Sequence, residues 1–175
     1  MLPLSTRRLV LRRFRPGDAV ALAAYRSDPD VARYQGWSAP VGLADARALA
    51  AEFAAGDPLR PGWFQYAVER TADRRLIGDL GVRRDGDPRR AEIGFTVSSA
   101  HQRHGYATEA LTRLLEHLFA HGLHKAYAEC DARNTASAAL LRRLGFQQEG
   151  HLRAHTWIKG EWTDDLLFGL LGTDR

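Results

Sequence analysis

Residues 102–108, Gln-Arg-His-Gly-Tyr-Ala-Thr, set small and basic residues directly before a helical pattern. Leu111, Leu114, Leu115, Leu118 and Phe119 recur at i, i+3, i+4, i+7 and i+8, the buried stripe of an amphipathic helix. The start of a helix leaves backbone N–H groups unpaired and carries partial positive charge. Gly105 permits a left-handed turn and close approach of a ligand, Ala107 is nearly as small, and Thr108 adds a hydroxyl donor. With Arg103 and His104 beside it, this segment is suited to cradling a pyrophosphate. Gly105 also suits an ordinary turn, and an isolated glycine motif does not separate the two readings. There is no GxxxxGK[ST], and no GxGxxG follows a strand, so neither a P-loop nor a dinucleotide fold is expected.

Other reactive residue types are explained by simpler roles. His117 and His121 have the i, i+4 spacing of a metal pair, but no HExxH surrounds them and both lie off the leucine stripe. They read as a solvated face, and no metal is expected. Cys130, the one cysteine, sits among strand residues and reads as a packed thiol. Asn134 stands where it can cap a helix carrying Ala136, Leu140, Leu141 and Leu144, and Ser137 falls in that helix's first turn. Glu92 alternates onto the polar side of a strand, where a solvent-facing glutamate is ordinary.

These groups depend on a sequence of elements. RRLVLRRF (7–14) reads as a strand, closed by a turn at 15–18 from which Asp18 can cap a helix over 18–26. A short helix at 28–34 and an Ala-rich one at 42–55 follow. Strands are expected at 64–70, 75–84 and 91–97, then the leucine-striped helix, stopped by Gly122. A strand at 125–132 leads to the helix from Asn134 to Gly145, and 146–158 with 161–171 form a hairpin turning at Lys159-Gly160. The order, ending β–α–β–α–β, predicts a mixed α/β or α+β sheet covered by helices.

At 175 residues the chain reads as one domain, 1–175, with an ordinary 45% hydrophobic and 26% charged content. No apolar run approaches the ~20 residues of a membrane span. MLPLSTRRLVLRRF interleaves charge with apolar residues and shows no secretory h-region, and one cysteine excludes an internal disulfide, so a cytoplasmic chain is expected. The net charge of +4 favours anionic partners without naming them.

The strand AEIGFTV, then HQRHGYATEAL, then NTASAALLRRLGF, resembles the GNAT superfamily of acetyl-CoA-dependent N-acetyltransferases. Its Q/R-x-x-G-x-G/A signature matches Gln102, Arg103, His104, Gly105, Tyr106 and Ala107. Its second signature matches Asn134, Ser137, Arg143, Gly145 and Phe146. RLVLRRFRPGDA and the ending EGHLRAHTWIKGEWTDDLLFGLL resemble the ribosomal-protein N-terminal acetyltransferase branch.

The resemblance implies a GNAT fold, a mostly antiparallel, splayed sheet of six to seven strands. Pantetheine would lie in the splay against the backbone of Phe95, Thr96 and Val97. The pyrophosphate would sit on the amides of 103–108, and Asn134 and Arg143 would be further cofactor contacts. It also implies Glu92 as general base through a water, Ser137 as acid and a backbone N–H near Val97 for the oxyanion. Leu141 departs from the family, since many relatives carry a tyrosine there. Arg33, Tyr34 and Trp37 fall in the segment that walls the acceptor in relatives, and Trp157 and Trp162 are either core or acceptor wall.

The expected reaction moves an acetyl group from acetyl-CoA to a primary amine, foremost a protein N-terminus. A small amine such as an antibiotic or polyamine is the alternative, and a homodimer is left open. A rival class, an acyl-CoA sensor without turnover, rests on Leu141. A nucleic-acid-binding domain would need clustered basic and aromatic residues in a recognised motif, and none is present.

Overall fold

The computed structural model describes residues 2–84 and 86–174. A two-residue strand β1 (Leu4–Ser5) pairs with β2 (Leu9–Arg12), followed by helices α1 (Ala19–Ser27), α2 (Pro29–Ala32) and α3 (Leu43–Ala55). An antiparallel meander comes next, formed by β3 (Gly62–Arg70), β4 (Leu76–Arg84) and β5 (Arg90–Val97). Helix α4 (Tyr106–Ala120) leads to β6 (Lys125–Asp131), and α5 (Thr135–Arg143) leads to β7 (Gln147–Ile158). Strand β8 (Glu161–Leu171) then inserts between β6 and β7.

The eight strands form one sheet in the order β1-β2-β3-β4-β5-β6-β8-β7. That exceeds the six to seven expected because β1, at two residues, is too short to show alternation in sequence. Among the described strands, β5 and β6 are the parallel pair, and they pair only through Arg90–Lys125, Ala91–Ala126 and Glu92–Tyr127. Past Glu92 the two part, while β5 stays on β4 as far as Val97. The sheet is therefore mixed, mostly antiparallel and splayed.

Two apolar layers hold it. On one face Ile77, Leu80, Val82, Ala91 and Ile93 pack in a core with Leu111, Leu114, Leu115 and Leu118 of α4, the stripe expected from sequence. Each buried leucine contributes about 1.5–3 kcal/mol, far more than helix propensity does. A second core holds residues of α1 and α3, with Phe14, Leu22, Tyr25, Ala46 and Ala50 around Ala67 of β3. Alternation along β5 sends Ala91 and Ile93 towards α4, and Glu92, Gly94 and Thr96 towards the opposite face.

The local stops lie where the glycines placed them. Gly122 and Gly145 are left-handed, with φ of 89° and 91°, and end α4 and α5. Lys159 and Gly160 are both left-handed and turn the β7–β8 hairpin. Asn134 caps α5, its side-chain oxygen accepting from the Ser137 N–H at 3.1 Å. Asp18 does not cap α1. Its carboxylate accepts from both Arg12 Nη atoms at 2.8 and 2.9 Å and from the Arg15 N–H at 2.7 Å. Arg12 is buried and also donates to Glu69 at 2.6 Å. Breaking such a buried pair costs about 3–5 kcal/mol. A helix cap contributes only about 1 kcal/mol, so the tertiary partner prevails.

Candidate active site

Where β5 leaves β6, its outer edge has no strand partner among the described residues. Ser98 N–H donates to Ile77 O on the β4 side at 2.9 Å, and alternation puts the backbone groups of Thr96 and Gly94 on that side as well. Those of Phe95 and Val97 turn into the gap. The Val97 carbonyl follows this direction, accepting from Gln102 Nε2 at 3.0 Å. Such an edge offers donors and acceptors to an extended chain that carries amides.

The loop after the gap is shaped by two left-handed residues, Arg103 (φ 62°) and Gly105 (φ 77°). Helix α4 begins its bonding with Glu109 N–H to Gly105 O at 3.0 Å. The N–H groups of Tyr106, Ala107 and Thr108 are thus the orphan donors of the helix start. Successive amides in this kind of turn form a concavity suited to an anion. The residues present therefore fit a pyrophosphate.

Gap, loop and α5 border one cleft of about 460 Å³. It is lined by Phe95, Thr96 and Val97, by Gln102, Arg103, Gly105, Tyr106, Ala107 and Thr108, and by Asn134, Ser137 and Arg143. Tyr34 also reaches it. His104 does not: its ring stacks on Tyr106 at 5.9 Å and its Nδ1 lies 2.6 Å from the Gln102 carbonyl. Leu141 is core rather than lining. The short helix expected at 28–34 forms as α2, and its Asp30 and Val31 wall this cleft, a role that nothing in the local pattern marked. That wall is tied to the end of β5 through Ser99 Oγ, which donates to Asp28.

Glu92 lies outside the cleft lining. Its carboxylate accepts from Arg83 Nε of β4 at 2.8 Å. Two further carboxylates and an imidazole stand across the gap: side-chain polar atoms of Glu129 on β6, Asp165 on β8 and His155 on β7 lie within 4.8 Å of one another. Burial, then the Asp165 charge, holds the Glu129 carboxyl above its usual value. Asp165 itself accepts from Thr156 Oγ1 at 2.6 Å. Three strands supply this group, so no local motif announced it.

The remaining expected positions divide. Trp157 and Trp162 form an edge-to-face pair at 5.4 Å and are 59% and 61% exposed, so neither is core. Trp37 is an anchor, its Nε1 donating to Arg26 O at 3.0 Å and its ring under the Arg26 guanidinium. Arg33 is exposed over the Tyr34 ring. None of Arg33, Trp37 and Trp157 lines the cleft. The His117 and His121 rings lie 4.2 Å apart, and His121 Nδ1 lies 2.7 Å from the His117 carbonyl. Burial pushes the Cys130 thiol up to about 11, consistent with a packed, unreactive sulfur.

Behind the gap lies a buried polar knot. Tyr25 of α1 donates to Asp79, the β4 partner of Thr96, and Arg26 Nη2 is 3.7 Å from the same carboxylate. Burial raises the Asp79 carboxyl above its usual value against the opposing charge of Arg26. The knot fixes α1 to the strand that supports the free edge.

A sequence model of the acetyltransferase (GNAT) domain matches residues 8–147. The chain is 33% identical over 170 residues to the uncharacterized N-acetyltransferase YoaA of Bacillus subtilis, covering 96% of each. Over shorter stretches it is 31% identical to the ribosomal protein uS5-alanine N-acetyltransferase of Escherichia coli, covering 47% of this chain and 43% of that one. It is likewise 32% identical to spermidine N(1)-acetyltransferase of Vibrio cholerae, covering 43% of this chain and 44% of that one. Its fold is that of a GNAT-family acetyltransferase crystal structure from Bacillus anthracis, with a TM-score of 0.89, 24% identity and coverage of 98% and 99%. No described helix is long and apolar enough to cross a membrane. A strand edge freed by splaying, leading straight to the orphan amides of a helix, thus sits in a chain that belongs to the GNAT family and is an acetyl-CoA-dependent N-acetyltransferase.

Proposed function

We propose that residues 1–175 act as one acetyltransferase domain of the ribosomal-protein N-terminal branch, and that the acceptor is a protein N-terminal α-amine. The observation that carries the acceptor is the Glu92–Arg83 ion pair. Arg83 takes the Oε2 oxygen of that carboxylate, which leaves Oε1 for a water. A free α-amine, with a pKa near ~7.8, is partly neutral at physiological pH and asks little of Glu92, whereas a lysine-type amine near ~10.4 asks far more. The uS5-alanine enzyme is similar over about half of this chain, which supports the same class.

In this reading acetyl-CoA supplies the acyl thioester. The Phe95 and Val97 backbone holds the pantetheine amides, and the amides of 103–108 hold the pyrophosphate. Asn134 spends its oxygen on the cap and keeps its amide hydrogens for the cofactor. Arg143 serves the adenosine-phosphate end. Glu92 takes the amine proton through a water, the Val97 N–H meets the oxygen that gains charge, and Ser137 protonates the departing sulfur. Kinetics with N-terminal peptides against polyamines test the acceptor. A kcat/KM higher for α-amines by at least tenfold is expected, and equal or better use of polyamines would overturn it.

A second reading has its own observation. Glu129 and Asp165 place negative charge beside the gap, which suits a cationic small amine, and the spermidine enzyme is similar over 77 residues. The same comparison of acceptors decides between them.

A further inference from the structure

The loop that presents the cradle amides is held from a distant part of the chain. Glu109, in the first turn of α4, accepts from Thr6 Oγ1 at 2.6 Å, from Arg8 N–H at 2.8 Å and from Arg8 Nε at 2.6 Å. Arg8 Nη1 then donates to the His104 carbonyl at 3.0 Å, and its guanidinium lies 4.6 Å from the centre of the Tyr106 ring. Thr6 Oγ1 is itself fixed by Leu9 N–H at 2.9 Å, where β2 begins. One guanidinium therefore binds the helix carboxylate, the loop carbonyl and the ring beside it.

We infer that Arg8, locked by Glu109 and Thr6, is a positioning residue for cofactor binding: it sets the peptide between His104 and Gly105 so that the Gly105 amide faces the pyrophosphate. A trans peptide points its C=O and N–H in opposite directions. Drawing the His104 carbonyl towards Arg8 turns the Gly105 N–H away from Arg8. The clamp also steadies two left-handed residues, one of which, Arg103, has a side chain that resists that conformation. Arg8 acts here through the loop and not on the reacting atoms. The inference rests on the pyrophosphate reading of the cradle.

The test compares acetyl-CoA with S-acetylpantetheine, which lacks the pyrophosphate and adenosine. Arg8→Met keeps the stem over Tyr106 and removes the guanidinium. It should raise KM for acetyl-CoA and Kd for CoA by roughly 10–100-fold, the worth of one or two charge-assisted hydrogen bonds. Turnover of S-acetylpantetheine should change by less than about twofold, because that substrate does not use the cradle.

Glu109→Gln should give a smaller loss of the same kind. The double variant should be no worse than Arg8→Met alone, since both remove one coupled unit. Arg8→Lys, which retains one contact at a time, should recover part of the affinity and replaces Arg8→Met if that variant fails to fold. Equal losses with both thioesters, or unchanged CoA affinity in folded Arg8→Met and Glu109→Gln, would overturn the inference. Ala107→Glu, which puts a carboxylate on the cleft lining and leaves Gly105 and its neighbour Arg8 as they are, is the control for the underlying reading. If it abolishes CoA binding while the Arg8 variants do not, the clamp alone is refuted; if it binds CoA normally, the cradle itself is.

Discussion

The two sides of the β5–β6 gap are built on different principles. On the proposed reading the cofactor side is mostly backbone: a strand edge, a left-handed turn at Gly105 and the amides of a helix start, with the small Ala107 and Thr108 on the lining. The proposed acceptor side is side chains drawn from five strands, with Arg83 against Glu92 and Glu129, His155 and Asp165 across from them. Backbone recognition tolerates few substitutions at its glycine and leaves a short motif. Side-chain recognition can be rewritten residue by residue, which suits a family whose members use different amines.

The largest effect that would sharpen this contrast is on the acceptor side. Glu92→Gln should lower kcat/KM by roughly 10²–10⁴, as loss of a general base does, with KM for acetyl-CoA little changed. The deficit should shrink at high pH, where the amine deprotonates unaided. Steady-state kinetics across pH check this, and a variant as active as the wild type would move the base to another group, with Glu129 next in line.

In the proposed cradle, Gly105→Val meets a left-handed backbone at φ 77° and brings its Cβ to 3.4 Å from Arg8 Nη2. Strain of about 1–2 kcal/mol together with a displaced Arg8 guanidinium should cost roughly 10²-fold in CoA affinity by calorimetry. If CoA affinity fell after Glu92→Gln instead, the division into two halves would be wrong.

Ser137→Ala should have a milder effect, about tenfold on single-turnover rate with CoA affinity preserved. A thiol near the cysteine reference of ~8.5 leaves tolerably well as thiolate. Asn134→Ala should do the opposite, weakening CoA binding and losing about 1 kcal/mol of capping stability in a thermal melt.

The smallest effect is a pH dependence. Burial would raise the Glu109 carboxyl, but hydrogen bonds from Thr6 and Arg8 outweigh it and hold the group below its usual value. A depressed carboxyl adds stability above the unfolded pKa of ~4.3 and loses it as pH falls through the folded value. Glu109→Gln should therefore melt lower than the wild type near neutrality, and the gap should close in acid. A gap that persisted unchanged at low pH would mean that the lost stability is packing and not charge.

The cradle half was legible because its signal is local: glycine, small residues and a leucine stripe within 18 residues. The splay was legible only by resemblance, since no periodicity tells two parallel strands where to part. Asp18 misled because Arg12 competes for its carboxylate from outside the helix it precedes. The helix of Asp30 and Val31 was expected but not its place at the cleft, and the Glu129–His155–Asp165 group was missed because partners on three different strands leave no spacing to read. Thr6, Arg8 and Glu109 escaped for the same reason, with 101 to 103 residues between partners.

That separation has a consequence for how the molecule comes into being. The segment holding Thr6 and Arg8 leaves the ribosome early and waits for about a hundred residues before Glu109 exists to receive it. Contacts of such span are slow to close and are made late in folding. Leu4, Leu9 and Leu11 belong to the same core as α4, so docking of the first strands completes that core and, on the proposed reading, the hold on CoA in one step. Bound CoA would then favour the docked state over every partly assembled one by mass action.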